Sequence, residues 1–323
     1  MDRPRSHRST NIAAKSVPDR EPDTLRIGTR GSALALAQAG VAAEPLGRVE
    51  LVEITTSGDQ GESGDKSRFV DGVEGALRRG EVDLAIHSAK DLPGSDSPEL
   101  EIVAAVKRET PQDAVATATG AASLADLPEG ARIGTSSLRR RAQLLACRAD
   151  LNPVPMRGNV DTRLAKLGAG EVDALVLASA GLRRLGLEDE IAFSLDPHGF
   201  TPSPGQGTVV IQARKGDPAG ARAAIANDQT ALAELICERT AARRLGATCD
   251  SAVGVLAERE GESLRARAWC GLPDGSDWIS DSVEGDLSDP SSLGERVAER
   301  LIAAGAEEIL ERSAMMVEQG ESA

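Results

Sequence analysis

The sequence predicts an α/β protein built from two similar α/β lobes, followed by a C-terminal α+β domain with a small antiparallel sheet. Three observations carry this expectation. Short apolar runs that end in polar turns alternate with helical spacing from about residue 24 to residue 214. Two motif pairs recur in the same order within that region. Beyond Gln229 the pattern changes to one helix, three strand-like runs and a closing helix. Strands that alternate with helices call for right-handed crossovers and a mainly parallel sheet, whose functional loops lie beyond the carboxyl ends of the strands.

The first lobe begins with "LRIGTRGSALALAQA" (Leu25 to Ala39), which reads as a strand, a Gly-containing turn and a helix. "RVELVEITTSGD" (Arg48 to Asp59) is a strand running into a polar loop, and "RRGEVDLAIHSAKDL" (from Arg78) is an apolar strand ending in a small-residue turn. The second lobe repeats the scheme. "ARIGTSSLRRRAQLLA" (Ala131 to Ala146) echoes the opening motif, with Gln143 at an offset comparable to Gln38, and "GAGEVDALVLASAGL" (from Gly168) echoes the second. Between them, "DLNPVPMRGNVDTRLAKLGAG" (Asp150 to Gly170) is a strand that stops at "RGN" before a helix. "PSPGQGTVVIQAR" (Pro202 to Arg214) reads as a Pro/Gly hinge and a strand returning to the first lobe. In the third region, "TALAELICERTAARRLG" has helical spacing and stops at Gly246; three strands and one closing helix near "LGERVAERLIAAGAEEILE" follow. The expected division is a disordered extension over 1–22, a first lobe over 23–107 with 207–228, a second over 108–206, and a third domain over 229–323.

Composition restricts the function classes. Aromatic residues make up only 2% of the 323, with no Tyr, so the cores must be built from Ala, Val, Leu and Ile. Acidic residues outnumber basic ones 51 to 37, giving a net charge of -14. Such a surface suits a salt-adapted acidic protein, because carboxylates stay hydrated where salt screens their repulsion, and it argues against a nucleic-acid partner. Cys147, Cys237, Cys249 and Cys270 form no C-x-x-C pair, so no metal site and no disulfide framework is expected. The N-terminal stretch has no apolar signal core, and no run approaches the ~18 apolar residues of a membrane span. A cytoplasmic, monomeric protein without membrane contact is the expectation.

Polar clusters follow nearly every predicted strand. Arg139, Arg140 and Arg141 fall in the first turns of a helix, where the dipole prefers anions, so the run calls for an anionic partner to offset it. Arg30 at the twin position, Arg157, Arg163, Arg183 and Arg184 extend this cationic character to other strand ends. Lys90 and Asp91 close an apolar strand at the expected cleft mouth, where Asp91 is a candidate to stabilise a cation or move a proton. Cys249, in "LGATCDSAVG", falls on a loop, whereas Cys237 lies inside a helical run. A solute-binding protein for an anionic small molecule would use the same two-lobed cationic cleft.

Taken together, "RIGTRGSALALAQA", "HSAKDLP", "GTSSLRRRAQL", "RGNVDTRLAKL", "LASAGLRRLGL", "PGQG" and "LGATC" resemble, in order and spacing, the porphobilinogen deaminase (hydroxymethylbilane synthase) family. The resemblance implies two lobes like those of type II periplasmic binding proteins, with the active-site cleft between them. It also implies a covalent dipyrromethane cofactor, joined by a thioether to Cys249 of the third domain. The implied reaction condenses four porphobilinogens head to tail with loss of ammonia, giving hydroxymethylbilane for haem, sirohaem and cobalamin synthesis. Asp91 takes the catalytic role. Lys90, Ser137, Arg139, Arg140, Arg163 and Arg184 are implied to bind the cofactor, and Arg30, Ser32, Arg157 and Gln38 to bind porphobilinogen or the growing polypyrrole chain. The chain departs from the family pattern at Ser67-Arg68 and Asp71-Gly72, in a loop expected to cover the cleft, and at Ala247 and Thr248 before the Cys. The third domain with its loop Cys, and the missing signal core, favour the transferase over the solute-binding protein.

Overall fold

The computed structural model describes residues 23–56, 67–95, 97–248 and 250–320. The expected N-terminal extension, residues 57–66 of the expected cleft-covering loop and Cys249 lie outside the described residues; from Ser67 on, where that loop was also expected, the chain is helical instead. The first lobe contains β1 (Leu25–Thr29), α1 (Ala33–Ala43), β2 (Val49–Glu53), α2 (Ser67–Arg78), β3 (Leu84–Ser88) and β4 (Leu100–Ala105). The second contains β5 (Asp113–Thr117), β6 (Arg132–Gly134), α3 (Leu138–Cys147), β7 (Asn152–Val154), α4 (Val160–Gly168), β8 (Ala174–Ala178), α5 (Ser179–Arg184) and β9 (Phe193–Ser194). The chain then returns through β10 (Val209–Arg214) and α6 (Pro218–Ala223), and continues with α7 (Gln229–Arg244), β11 (Val253–Glu260), β12 (Ser263–Gly271), β13 (Trp278–Asp286), α8 (Pro290–Ala303) and α9 (Ala306–Glu318).

The two five-stranded sheets have one topology. Their orders are β2-β1-β3-β10-β4 and β7-β6-β8-β5-β9. In each, a single strand runs antiparallel to both neighbours: β10 between β3 and β4, and β5 between β8 and β9. Those two strands follow the crossings between lobes, over 106–112 and 195–208. The echoed motifs are held together by the same bonds in both lobes. The Arg26 backbone N–H donates to Asp83 Oδ2 at 2.8 Å, and the Arg132 N–H to Asp173 Oδ2 at 2.8 Å. Each of those arginines also donates its Nη2 to a glycine carbonyl, of Gly80 and Gly170. R-I-G-T and G-E-V-D thus recur together because the Arg of one is latched by the Asp of the other.

Helices cover both faces of each sheet, as a mainly parallel sheet requires. In the first lobe, Leu25, Ile27, Leu84 and Ile211 pack on α1 and α6, while Val82, Ala85 and Leu100 pack on Val73 and Leu77 of α2. In the second, Ile133, Val115 and Val176 meet Leu144 of α3, and Leu175 and Leu177 meet α4 and α5. These are aliphatic cores; each fully buried Leu or Ile contributes about 1.5–3 kcal/mol. Helix starts are fixed by side-chain caps: Ser32 accepts from Ala35 N, and Ser137 from Arg140 N.

The third domain is a three-stranded antiparallel sheet, β11-β12-β13, packed on α7, α8 and α9. One expectation needs correction here. The single closing helix is two helices, because Gly305 adopts φ 105° between them and ends the helical register, so that α9 folds back onto β12. The domain docks on both lobes. Leu235 of α7 packs on Val210 and Ala105 of the first sheet, and Trp269 packs on Ala142 of α3.

An ion cluster reinforces that docking. Arg108, in the first crossing, donates from Nη1 to Glu238 Oε1 at 2.8 Å and to Glu234 Oε2 at 3.3 Å, both on α7, and from Nε to the Gln206 carbonyl of the second crossing. Burial opposes the Arg108 charge, but the two carboxylates hold its pKa above the ordinary value. Glu238 also accepts from the backbone N–H groups of Gly205 and Ala257. Gly207, in the left-handed region at φ 90°, lets the two crossings touch: a Cβ there would lie 2.2 Å from the Glu109 carbonyl oxygen.

Candidate active site

Cavities open where the sequence places its polar clusters, beyond the strand ends between the lobes. One of about 380 Å³ is lined by Arg30, Ser32 and Gln38 from the start of α1, by Lys90 and Asp91, and by Arg140, Arg163 and Arg184 of the second lobe. A second, of about 590 Å³, shares Lys90 and Asp91 and adds Ser137, Arg139, Arg239, Arg243, Thr248 and Ser251. The Lys90–Asp91 turn is therefore the wall between them. It is seated by Gly205 at φ 73°, where a Cβ would press to 2.9 Å on Ala89 Cβ and 3.1 Å on Lys90 N. This close approach is the physical reason for the first glycine of "PGQG".

Of the residues expected at the site, the structure gathers Arg30, Ser32, Gln38, Lys90, Asp91, Ser137, Arg139, Arg140, Arg163 and Arg184 around these two cavities. Arg157 is exposed and lines neither. The position of Cys249 lies outside the described residues, but Thr248 and Ser251 on either side of it border the larger cavity. Cys237 and Cys270 are fully buried, and burial raises both thiols, that of Cys270 to about 12. Cys147 is exposed at the last position of α3 and lines neither cavity.

The arginine run has a partner that sequence reasoning missed. Asp113, the first residue of β5, accepts from Arg139 Nη2 at 2.8 Å through Oδ2, and from Arg140 Nη2 at 2.7 Å and Nε at 3.1 Å through Oδ1. Burial would raise the Asp113 carboxyl, yet the two guanidiniums hold it well below the ordinary range. The anion that the run calls for is thus, in the first instance, internal. The reason is that β5 carries Asp113 across the sheet to the α3 N-terminus, a contact no local pattern reveals. Arg139 also donates to the Thr201 carbonyl and Arg140 to that of Val176, so both are held rigidly at the cavity walls. Arg141 donates to the Pro153 carbonyl instead. Gln206 extends the network, donating to Asp113 Oδ1 at 2.9 Å and to the Pro111 carbonyl, and lying 3.5 Å from Lys90 Nζ.

Two cations on the smaller cavity have lowered pKa values. Burial and the nearby Arg140 bring Arg163 down to about 10, and burial lowers Arg184, with Glu109 opposing. Both remain charged at neutral pH, in surroundings where an anion would be attracted strongly. Beside Asp91, His87 is buried in β3, and burial lowers its imidazole to about 4 despite the adjacent carboxylate. Arg239 and Arg243 of α7 were also missed; their i, i+4 spacing places both on one helix face, a signal the sequence did contain.

Comparison with known proteins decides the family. The model of "Porphobilinogen deaminase, dipyromethane cofactor binding domain" matches residues 25–222, and that of "Porphobilinogen deaminase, C-terminal domain" matches 232–303. The chain belongs to the porphobilinogen deaminase family. A porphobilinogen deaminase from Roseiflexus castenholzii is 44% identical over 301 residues, covering 89% of this chain and 99% of that protein. One from Thermus thermophilus is 42% identical over 293 residues, covering 88% and 97%. Among solved structures, the periplasmic sulfonate-binding protein SsuA of Methylobacillus flagellatus KT aligns with TM-score 0.39 and 16% identity, covering 67% of this chain and 66% of its own. The family's cofactor is a dipyrromethane, and the residues present fit it: the larger cavity offers Lys90, Ser137 and Arg139, donors suited to pyrrole carboxylates, and includes both sides of position 249. Among the described residues, no group of metal ligands occurs and no helix is long and apolar enough to cross a membrane.

Proposed function

We propose that this protein is a transferase that joins four porphobilinogen molecules head to tail, with loss of ammonia, to form hydroxymethylbilane on a dipyrromethane primer. The observation that carries the reading is Asp91 set between two cavities whose other charged wall residues, Asp161 apart, are cations. The dipyrromethane, when bound, supplies the free pyrrole α-carbon to which the first unit joins. Cys249 forms the thioether, and Lys90, Ser137, Arg139 and Arg140 hold the acetate and propionate groups. Arg163 and Arg184, expected on the cofactor, line the smaller cavity instead; in this reading they join Arg30, Ser32 and Gln38 in receiving the carboxylates of incoming porphobilinogen, a role for which Arg157, outside both cavities, lacks a contact there.

Loss of ammonia from the aminomethyl group of porphobilinogen leaves a cationic azafulvene. Asp91 hydrogen-bonds pyrrole N–H groups and stabilises that cation, a single negative charge aimed at where positive charge develops. It then takes up the proton released as the new carbon–carbon bond restores the aromatic ring. The arginines cannot perform this step, since each stays protonated, so they bind and orient. The rigid Asp113 network keeps two of them preorganised.

The same reading divides the chain into lobes over 23–107 with 207–228 and over 108–206, and a third domain over 229–323. The strand membership of the three sheets supports that division. It places the protein in the cytoplasm as a monomer, with a surface adapted to salt, on the strength of its charge and cysteine usage. The intact mass of the purified protein tests the central claim. An excess matching a dipyrromethane, lost in Cys249→Ser, is expected; an active protein of unmodified mass would refute the covalent primer.

A further inference from the structure

A third cavity adjoins the larger one on the side away from the second lobe. Its volume is about 380 Å³, and it shares Leu92, Pro93, Ser95, Arg239 and Arg243 with the 590 Å³ cavity as common walls. Three cavities therefore lie in a row, joined first at Lys90 and Asp91 and then at Arg239 and Arg243. We propose that Arg239 and Arg243 of α7, with Lys215, form a carboxylate-binding ridge that takes the pyrrole units already added and leads them into this third cavity as the chain lengthens. The proposal rests on the transferase reading above.

The argument is one of tethering. The growing chain is tethered through Cys249 and must present its free end at Asp91 for every addition; Thr248 and Ser251, on either side of position 249, and Asp91 border the same cavity. With both ends held, each new unit enlarges the loop between them. On one side the smaller cavity must stay open for the next porphobilinogen. Of the two cavities that share walls with the larger one, the other lies past α7.

The chemistry of that outlet suits substituted pyrroles. Leu92, Ile102, Leu232 and Ile236 offer apolar walls to the ring faces, while Arg239, Arg243 and Lys215 offer charge to the acetates and propionates. The two carboxylates in the cavity are engaged. Glu74 accepts from Arg78 at 2.6 Å and from Gln212 Nε2 at 2.9 Å, and Glu101 accepts from the Gly216 N–H at 3.2 Å. Arg239 donates to the Pro93 carbonyl at 3.0 Å and Arg243 to Thr240 Oγ1 at 3.4 Å.

The test is a time course of intact mass after mixing the holoprotein with limiting porphobilinogen, for Arg243→Gln and for Arg239→Gln with Arg243→Gln. Arg243 is exposed, so its single replacement keeps the experiment informative if the double variant folds poorly. Expected are a primer mass equal to wild type, a first adduct formed at the wild-type rate, and later additions slowed by about tenfold or more, so that partly elongated adducts accumulate. Equal slowing of all additions, wild-type progress through all of them, or loss of the primer in the variants would each overturn the ridge while leaving the transferase intact. Wild-type protein that carries no primer would instead remove the reading on which the ridge rests.

Discussion

The two lobes share a topology, a pair of motifs and even the bonds between those motifs, yet they carry different chemistry. Superposing their echoes sets Lys90 and Asp91 of the first lobe against Ala180 and Gly181 of the second. Likewise Arg139 and Arg140, at the second and third positions of α3, stand where α1 has Leu34 and Ala35. The antiparallel strand completes the exchange: β5 begins with Asp113 opposite Ala178, where β10 has Val209 opposite Ser88. What the lobes share is scaffold: the latched Arg and Asp, the Ser cap and a buried Gln at the sixth position of each helix. What they do not share is the site. One lobe supplies the carboxylate proposed to react, Asp91, and the other supplies fixed cations with their own internal counter-ion.

That contrast can be broken at several points. The largest effect is expected from Asp91→Ala, which removes the group that has no twin. Turnover of porphobilinogen should fall by about 10²–10⁴-fold with the fold retained; rates near wild type would move the catalytic role elsewhere. Next comes Asp113→Asn, which leaves two buried guanidiniums without their charge partner. A loss of about 3–5 kcal/mol is expected in denaturant unfolding. A small loss at Asp113 would mean that Arg139 and Arg140 do not depend on an internal anion.

The third effect depends on pH and belongs to the first lobe, since the second has Leu177 opposite His87. Burial lowers His87 from 6.5 to about 4, with Asp91 and a Gln212 hydrogen bond opposing and Arg30 assisting. Between those values the unfolded imidazole binds a proton that the folded one refuses. Stability is therefore complete above the unfolded value and is lost as pH falls toward 4, by about 3 kcal/mol at most. His87→Leu should flatten thermal unfolding temperature across this window; an unchanged slope would assign the loss to other groups. The smallest effect tests the shared scaffold. Asp83→Asn and Asp173→Asn each weaken the same latch and should cost about 1 kcal/mol apiece, as read by chemical denaturation. A wide difference between them would show that the echo is not an energetic one.

Much of the fold was legible because its signals are local. R-I-G-T and G-E-V-D mark strand ends by composition, Ser32 and Ser137 mark helix starts, and Gly-Pro punctuation marks the return crossing. The paired helices α8 and α9 were not separated, because Ala304-Gly305 interrupts an otherwise continuous helical pattern and only the left-handed backbone of Gly305 decides the break. At the site, residues inside recognisable loops were found: Arg30, Lys90, Asp91, Arg140, Arg163 and Arg184 meet at one cavity. Asp113 and Arg108 were invisible, since each draws its meaning from partners far along the chain, 26 residues away for Arg139 and 130 for Glu238.

The sequence by itself determined the two-lobed plan, the third domain, the cationic character of the strand ends and the singular Lys-Asp turn, all of them properties of neighbouring residues and their spacing. Only the tertiary structure decided how that charge is held. It brought Asp113 beneath two arginines, bound both crossings to α7 through Arg108, and placed Arg239 and Arg243 between two cavities. Long-range pairing follows from sheet order and domain docking, and no stretch of sequence records either one locally.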